Sequence, residues 1–390
     1  MSERTRRFET IAIQSGEVPE DQTGAVTTPI HLSTTYRVAY PGDDSGYVYS
    51  RSANPTRRAL ESTLAALENG KHGFAFASGL AAVSTALHLL KSGDHIVASS
   101  DLYGGTHRQF DKVLRKFGLD FTFVDGRDPS DFEKAVTDRT TLFWIETPSN
   151  PLLRLINIAA VSGIGRQRGI LTVVDNTFAT PYIQQPLGLG ADVVMHSASK
   201  YLAGHCDVIG GALVTSSDEL GEKIGFHQNA LGAMLGPFES WLVLRGLKTL
   251  SLRMERHSYN ASRIASYLSE QDSVSSVMFP GHDNESLPNG MKLPGGMVSF
   301  ELNVDFEAVK TFACATRVFV LAESLGGVES LINHPASMTH ASVPPDIRKQ
   351  NGIGDGLIRL SVGTEHIDDL LDDLEGAFKV LRATVTRDRP

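Results

Sequence analysis

The amino-acid sequence predicts an α/β protein: a large domain built on a mostly parallel central sheet, followed by a smaller C-terminal α/β domain. The chain has 390 residues, more than one compact core usually holds. Between about residues 49 and 250, short apolar, β-branched runs alternate with helical patterns, which is typical of parallel strands joined by crossover helices. Beyond that point come a long polar helix, two strand patterns and a closing helix.

The beginning of the chain is predicted to form an arm and not a domain. Pro29, Pro41 and a turn-rich stretch beside them interrupt any sustained helical or strand period. We therefore expect residues 1–48 to form an extended arm that packs on another surface. Residues 49–250 are expected to form the large domain, and residues 251–390 the small one.

The strands of both domains are predicted from apolar runs with little charge. In the large domain these runs are HGFAFAS, DHIVASS, DFTFVD, TLFWIET, GILTVVDNT, ADVVMHSAS and GGALVTS. In the small domain the predicted strands are GGMVSFELNV and LIRLSVG, and the predicted helices are SLRMERHSYNASRIASYLSEQ and HIDDLLDDLEGAFKVLRA.

Composition and charge exclude several classes of protein. With 41% hydrophobic and 21% charged residues, the chain has an ordinary globular composition. The net charge of −9 argues against nucleic acid or an anionic membrane as the main partner, because both attract a basic stripe. The sequence has no run of about 18 apolar residues and no signal-peptide core, so we expect a cytoplasmic protein. Cys206 and Cys314 lack metal-ligand spacing, and no metal is expected.

Residues that directly follow the predicted strands are the first candidates for a site, because ligands of open α/β sheets bind beyond the carboxyl ends of the strands. Ser78, Gly79 and Leu80 follow the first run and open a helix. A small residue and a glycine there allow backbone N–H groups and the positive helix end to meet a phosphate. By itself this signal is weak, since a glycine at such a position more often only forms a turn.

A carboxylate and a lysine follow two later strands. Asp175 ends an apolar strand, where a carboxylate is costly to bury unless it caps a helix or meets a cation such as a protonated ring nitrogen. Lys200 comes shortly after Ser197 and Ser199, whose hydroxyls can donate to a phosphate. An amine near an apolar interior has a lowered pKa and becomes nucleophilic. Because 25 residues, about one strand–helix–strand unit, separate Lys200 from Asp175, both can face one site.

Tyr103 lies on the loop after the second predicted strand. Its ring could stack on a flat cofactor, and its hydroxyl could transfer a proton. A packing role is the alternative for a tyrosine at this place.

These residues and their surroundings resemble the Cys/Met-metabolism enzymes that depend on pyridoxal 5′-phosphate (PLP). That family contains cystathionine γ-synthase, the cystathionine γ- and β-lyases and methionine γ-lyase. The resembling blocks are YSRSANPT (49–56), FASGLAA (76–82), DLYGGT (101–106), ETPSNP (146–151), VVDNTFATP (173–181), HSASKYLAGH (196–205), RGLKTL (245–250), ESLGGVESL (323–331), MTHAS (338–342) and RLSVG (359–363). The resemblance implies fold type I, the aspartate-aminotransferase type, PLP as cofactor, and a homotetramer made of two closely joined dimers.

The resemblance also assigns roles to residues. It implies that Lys200 bonds to PLP and acts as acid and base, that Asp175 pairs with the ring nitrogen, and that Tyr103 stacks on the ring. Tyr49 and Arg51 are implied to reach the phosphate of the neighbouring subunit, which gives the arm its purpose. The residues implied around the phosphate are Ser78, Gly79, Leu80, Ser197 and Ser199. The implied substrate-binding residues are Arg359, Asn150, Ser324, Glu323, Thr339, Tyr49 and Asn229, with Asn150 also beside the cofactor.

Three positions narrow the choice of reaction through the same resemblance. Glu323 replaces the aliphatic residue of methionine γ-lyases and the aromatic residue of cystathionine β-lyases. Gly105 replaces a reactive cysteine of methionine γ-lyases, and Asn229 matches the cystathionine γ-enzymes. We therefore expect γ-elimination of L-cystathionine to L-cysteine, 2-oxobutanoate and ammonia. The alternative is γ-replacement of O-succinyl- or O-acetylhomoserine by cysteine. A protein of this fold that binds without catalysis is a third hypothesis, which loss of the lysine, aspartate or tyrosine would favour.

Overall fold

The computed structural model describes residues 6–17, 23–44, 46–282, 286–341 and 344–387. Parts of the predicted arm, at 1–5, 18–22 and 45, lie outside the described residues, as does the final serine of the MTHAS block.

The helices and strands alternate along the first two thirds of the chain. The strands are β1 His72–Phe76, β2 His95–Ser99, β3 Asp120–Val124, β4 Thr140–Glu146, β5 Leu171–Asp175, β6 Val193–His196, β7 Gly211–Thr215, β8 Val274–Met278, β9 Met297–Leu302, β10 Val320–Leu321, β11 Leu331–Asn333 and β12 Leu357–Ser361. The α-helices are α1 Phe8–Gln14, α2 Pro55–Leu67, α3 Gly79–Leu87, α4 Gly104–Arg108, α5 Ser130–Lys134, α6 Ile158–Arg168, α7 Thr180–Ile183, α8 Asp218–Leu231, α9 Pro237–Leu247, α10 Leu250–Ser269, α11 Phe306–Ala315, α12 Pro345–Gln350 and α13 Ile367–Arg387.

The large sheet has seven strands in the order β1-β7-β6-β5-β4-β2-β3. The pairs from β6 through β3 are parallel, and β7 is antiparallel to both of its neighbours. The predicted, mostly parallel sheet is confirmed, and each predicted run forms a strand. β7 reverses direction because no crossover helix lies between β6 and β7, and a connection without a crossover suits antiparallel strands.

Both faces of this sheet are buried. On one face Ile96 of β2 and Trp144 of β4 belong to one hydrophobic cluster, and on the other face Val97 and Phe143 belong to another. Strands that are buried on both faces have continuous apolar sequences, and for this reason they could be predicted from the sequence. Glu146, Asp175 and Met195 lie side by side at the carboxyl end, on the face of Trp144.

The small sheet has five strands in the order β10-β11-β12-β9-β8 and is mostly antiparallel. Its core contains side chains from α10, α11 and α13, such as Ile264, Phe312 and Phe378. The predicted strands β9 and β12 and the predicted helices α10 and α13 are present. The sequence did not predict β8, β10 and β11, because β10 and β11 are only two and three residues long and β8 is half exposed.

The arm is only partly extended. Phe8–Gln14 forms the helix α1, which packs Phe8, Ile11 and Ala12 against the large domain. The sequence analysis missed α1 because it has only seven residues, too few to show a helical period. No helix in the described part of the chain combines the length and apolar character needed to cross a membrane.

Candidate active site

A cavity of about 1030 Å³ lies where the carboxyl ends of β1, β2, β4, β5 and β6 face the small domain. This is the edge at which ligands of open α/β sheets bind. Thirteen of the sixteen predicted site residues line it. They are Ser78, Gly79, Leu80, Tyr103, Asn150, Asp175, Ser197, Ser199, Lys200, Glu323, Ser324, Thr339 and Arg359.

Lys200 lies on the turn after β6, and its amine points into the cavity. Lys200 Nζ donates a 2.9 Å hydrogen bond to Ser324 Oγ of the small domain. Burial of the amine, followed by the nearby charge of Arg359, lowers the pKa of Lys200 to about 8. The neutral, nucleophilic form is therefore far more accessible than for a solvated lysine.

Asp175 ends β5 and is almost completely buried. Its Oδ1 accepts two hydrogen bonds from Thr177, one from the backbone N–H at 3.0 Å and one from the hydroxyl at 2.5 Å. Burial raises the pKa of Asp175, whereas these bonds and the Coulombic effect of His196 lower it. A buried carboxylate held in this way at the cavity wall is suited to pair with a cation inside the cavity.

The first turn of α3 forms a narrow cradle with the turn after β6. Ser78 caps the helix, and its Oγ accepts a 3.0 Å hydrogen bond from Ala81 N. A Cβ atom at Gly79 would lie 3.0 Å from Ser197 Cβ and Oγ, so only glycine leaves this space open. Ser199 Oγ is fixed by Gly210, whose backbone N–H donates to it at 2.9 Å. Hydroxyls, N–H groups and a helix N-terminus converge here, as a phosphate requires.

Arg359 of β12 is buried without a carboxylate among its hydrogen-bond partners in the described structure. Its Nη1 donates to Asn150 Oδ1 at 2.6 Å and its Nη2 donates to Ser324 O at 3.1 Å. Arg359 Nε is buried and unpaired among the described residues. Burial lowers the pKa of Arg359 to about 10, so the guanidinium remains charged near neutral pH. A buried, incompletely paired guanidinium at a cavity wall is suited to bind a ligand carboxylate.

Tyr103 lies at the N-terminus of α4 and is 40% exposed, with its ring in the cavity. Its backbone N–H donates a 2.8 Å hydrogen bond to Glu146 Oε2. A Cβ atom at Gly105 would meet the Tyr103 ring at 2.3 Å, so the glycine leaves room for this ring position. A partly exposed, well-fixed phenol ring can stack on a flat ligand.

Three predicted site residues lie outside the cavity of their own chain. Arg51 Nε donates to Asn229 Oδ1 at 3.1 Å, and the Arg51 guanidinium lies 5.4 Å from the centre of the Tyr49 ring. Tyr49 is 41% exposed. Tyr49, Arg51 and Asn229 therefore form one surface cluster, which we call the arm cluster.

Several residues of the cavity wall were not predicted from the sequence. Glu146 ends β4 just as Asp175 ends β5, and the same signal, a carboxylate closing an apolar strand, could have found it. Thr177 follows Asp175 but its role depends on contacts across strands. Arg108 on α4 and Cys206 after the Lys200 turn also line the cavity, and no local pattern marks either of them.

The fold and this site define a PLP-dependent enzyme of fold type I. The sequence profile described as Cys/Met metabolism PLP-dependent enzyme matches residues 9–379, and the chain belongs to this family. Members of the family act as carbon–sulfur lyases and related transferases, and the predicted enzyme class and cofactor are confirmed.

Relatives within the family have different names. The chain is 52% identical to cystathionine β-lyase of Lactococcus lactis subsp. cremoris over 376 residues, 95% of this chain and 99% of that protein. It is 50% identical to cystathionine γ-synthase of Mycobacterium bovis over 375 residues, 95% of this chain and 96% of that protein. The crystal structure of cystathionine γ-lyase from Lactobacillus plantarum with L-serine superposes with a TM-score of 0.93 at 48% identity, covering 97% of this chain and all of the other.

The residues present fit PLP. The open cradle at Gly79 suits its phosphate, the buried Asp175 carboxyl suits its ring nitrogen, and the Lys200 amine, whose pKa is lowered to about 8, suits its aldehyde. All three groups line one cavity, which is large enough for a cofactor together with an amino acid.

Proposed function

We propose that this enzyme catalyses the γ-elimination of L-cystathionine to L-cysteine, 2-oxobutanoate and ammonia. The observation that carries the proposal is Glu323, an exposed carboxylate that lines the cavity where the family resemblance places an aromatic residue in cystathionine β-lyases and an aliphatic one in methionine γ-lyases. Together with Arg108, which is also exposed and lines the cavity, it forms a pair of opposite charges at the cavity mouth. The far end of cystathionine is itself an amino acid, with an ammonium and a carboxylate. A carboxylate and a guanidinium that line the same cavity can bind both groups at once.

The reacting amino-acid end of the substrate is assigned to the buried part of the cavity. Arg359 and Asn150, joined by their 2.6 Å hydrogen bond, are assigned to the carboxylate on the reacting amino acid. Bidentate binding by a guanidinium fixes Cα as well as the carboxylate. Ser324 and Thr339 complete this wall beside Arg359.

PLP held by Lys200, Asp175 and the cradle at Gly79 would supply an electron sink for the electrons left when a proton leaves Cα. Lys200 is the base that removes the Cα proton, because its lowered pKa of about 8 makes the neutral amine accessible and Ser324 Oγ orients it. Asp175 balances a positive ring nitrogen. In γ-elimination a second proton must leave Cβ, so that its electrons form a Cβ–Cγ double bond as the Cγ–sulfur bond breaks. Tyr103 is placed to give a proton to the departing sulfur, since its phenol is at the cavity surface.

Two other reactions of the family have a specific observation in their favour. The Lactococcus relative at 52% identity is named for β-elimination, and the Mycobacterium relative at 50% identity is named for γ-synthesis. The charge pair at the mouth fits cystathionine as substrate of either elimination, and fits it equally as the product of γ-replacement.

Product analysis distinguishes the three reactions. With cystathionine alone, γ-elimination forms 2-oxobutanoate and cysteine, and β-elimination forms pyruvate and homocysteine. With cysteine plus O-succinyl- or O-acetylhomoserine, γ-replacement forms cystathionine. We expect 2-oxobutanoate as the main keto acid from cystathionine. Mainly pyruvate, or turnover of homoserine esters far above that of cystathionine, would overturn the proposal.

The charge pair has its own test. We expect Glu323→Gln to raise KM for cystathionine about tenfold, the range of one charge-assisted contact. Glu307→Gln, at an exposed carboxylate on α11, is the matched control and should leave KM unchanged. An unchanged KM in the Glu323 variant would remove this carboxylate from cystathionine binding.

We also propose that the enzyme is a homotetramer of two close dimers, in which the arm cluster reaches the partner's phosphate site. The described arm exposes large apolar side chains, among them Val26 at 83%, Leu32 at 72% and Tyr40 at 63%. Exposed apolar side chains grouped in this way typically pack against a partner. Light scattering should give the tetramer mass, and Arg51→Ala should weaken PLP binding. A monomer that binds PLP normally would contradict this proposal.

A further inference from the structure

Glu146 lies beside Asp175 in the wall of the cavity, yet the reaction proposed above gives it no role. The two residues are opposite each other in the parallel register of β4 and β5, and both are at least 94% buried. Neighbouring parallel strands are about 4.8 Å apart, and residues in register point to the same face. Two carboxyl groups are thus held side by side in the protein interior.

We propose that Glu146 is a positioning residue that works as a neutral carboxylic acid, fixing the backbone of Tyr103 while leaving the negative charge of the pair on Asp175. This inference rests on the ring-stacking role that the family resemblance implies for Tyr103 and on the charge-balancing role proposed for Asp175.

The hydrogen bonds favour a charged Asp175 over a charged Glu146. Asp175 Oδ1 receives both the N–H and the O–H of Thr177. Glu146 Oε2 receives the N–H of Tyr103 at 2.8 Å, a bond that a protonated carboxyl also accepts through its carbonyl oxygen. Two buried carboxylates this close cannot both ionise without strong repulsion. Asp175 is the better placed to keep the charge, because both of its donors converge on one oxygen and one of them is a hydroxyl at 2.5 Å.

The other charged groups around Glu146 act in both directions. Burial, then the charge of Asp175, raises the pKa of Glu146 well above its usual range, and Asp101 after β2 adds to this effect. The backbone N–H groups of Tyr103 and Asn150 lower it. Arg359 is a cation in the same cavity wall, but its hydrogen bonds in the described structure go to Asn150 and Ser324 and not to Glu146. The net effect raises the pKa of Glu146, which is the direction of the proton that the proposal places on it.

The two carboxyl groups at these adjacent strand ends would therefore have different roles. Glu146 ties the backbone at Tyr103 to β4, so the ring is held at a fixed height over the cavity. Since Glu146 carries no charge, it neither repels Asp175 nor competes with it for a cationic ring nitrogen. An ionised Glu146 would be a second anion beside the first.

Glutamine tests this proposal, because its amide has the shape of a neutral acid and still accepts the N–H of Tyr103. In Glu146→Gln, we expect the PLP dissociation constant of the apoenzyme, the pH titration of the bound cofactor's visible absorbance, and kcat to stay within about threefold of wild type. In Glu146→Ala, which leaves a buried N–H unpaired, we expect PLP binding to weaken about tenfold and kcat to fall more than KM rises. Equal damage in both variants would overturn the proposal, as would no damage in the alanine variant.

Infrared spectroscopy provides a measurement that does not depend on catalytic activity. The wild-type apoenzyme, prepared with 13C-labelled glutamate, should show at pH 7 an isotope-shifted C=O stretch of a protonated carboxyl that is missing in Glu146→Gln. Absence of that band in the wild type would overturn the proposal. Failure of the proposed function would be seen separately, as wild-type enzyme that does not turn over cystathionine, whatever the state of Glu146.

Discussion

Thr177 Oγ1 accepts a 2.9 Å hydrogen bond from the backbone N–H of Ser197, across two neighbouring strand ends. The same hydroxyl donates to Asp175 Oδ1 at 2.5 Å. One side chain therefore joins the cradle assigned to the phosphate to the carboxylate assigned to the ring nitrogen. The two ends of the cofactor site are held in a fixed relation by this hydroxyl.

Replacing Thr177 by valine keeps the shape and removes the hydroxyl. We expect the apoenzyme to bind PLP about tenfold more weakly, since the N–H of Ser197 loses its partner and Asp175 loses one of two donors. Thr177→Ser keeps the hydroxyl and should bind within about threefold of wild type. Equal binding by the valine and serine variants would show that the hydroxyl does not organise the site.

Arg359 is expected to determine substrate affinity. We expect Arg359→Lys to raise KM for cystathionine at least about tenfold, because an ammonium cannot reproduce the planar fork that meets a carboxylate. The visible spectrum of bound PLP should stay unchanged, since Arg359 is assigned to the substrate and not to the cofactor. Steady-state kinetics and absorbance of the same preparation test both points. Lost PLP binding with unchanged KM would contradict the assignment.

Lys200 makes the apoprotein's stability depend on pH in a defined direction. Its pKa falls from 10.5 to about 8 on folding, so between these values the unfolded chain binds more protons and stability rises with pH. Below about pH 8 the burial cost of the charged amine is fully present, on the order of 3 kcal/mol.

Apo Lys200→Met should therefore have a higher urea midpoint than wild-type apoprotein at pH 7. The difference should shrink as the pH rises from about 8 to about 10.5. Lys310→Met, at an exposed lysine, is the matched control and should show no such pH dependence. A difference that is constant across this range would show that the Lys200 amine titrates normally in the fold.

A second buried pair lies behind the site. His196 Nε2 and Glu68 Oε1 are 2.6 Å apart with both side chains 1% exposed, and Asn176 Nδ2 donates to the same oxygen. We expect Glu68→Ala to destabilise the fold by about 3–5 kcal/mol, because the partners lose a buried acceptor. The urea midpoint measures this loss. A double variant, Glu68→Met with His196→Leu, should be closer to wild type than Glu68→Ala, and the reverse order would contradict this account.

The site could be predicted from the sequence for those functional residues that lie at or just after the end of a strand. Asp175 and Lys200 each follow an apolar run, and the parallel topology brings such ends to one edge. The contribution of the small domain is different: Ser324 and Arg359 reach Lys200 and Asn150 across more than 120 positions of sequence. Spacing and periodicity carry no information about such contacts, so these residues were identified only through the family resemblance.

Glu146 and the Glu68–His196 pair show a second limit to what can be predicted from the sequence. The protonation of Glu146 depends on the register of β4 against β5, which places Asp175 beside it. His196 and Glu68 are 128 positions apart, and each by itself has the features of an ordinary polar residue. Burial and pairing decide what these groups do, and both are properties of the folded chain.

Borohydride reduction of the PLP-loaded enzyme followed by peptide mass spectrometry tests the central assignment most directly. Reduction makes the bond between cofactor and lysine permanent, and the account predicts a single labelled peptide that contains Lys200. Label on a peptide from elsewhere in the chain, or protein that remains unlabelled, would contradict it.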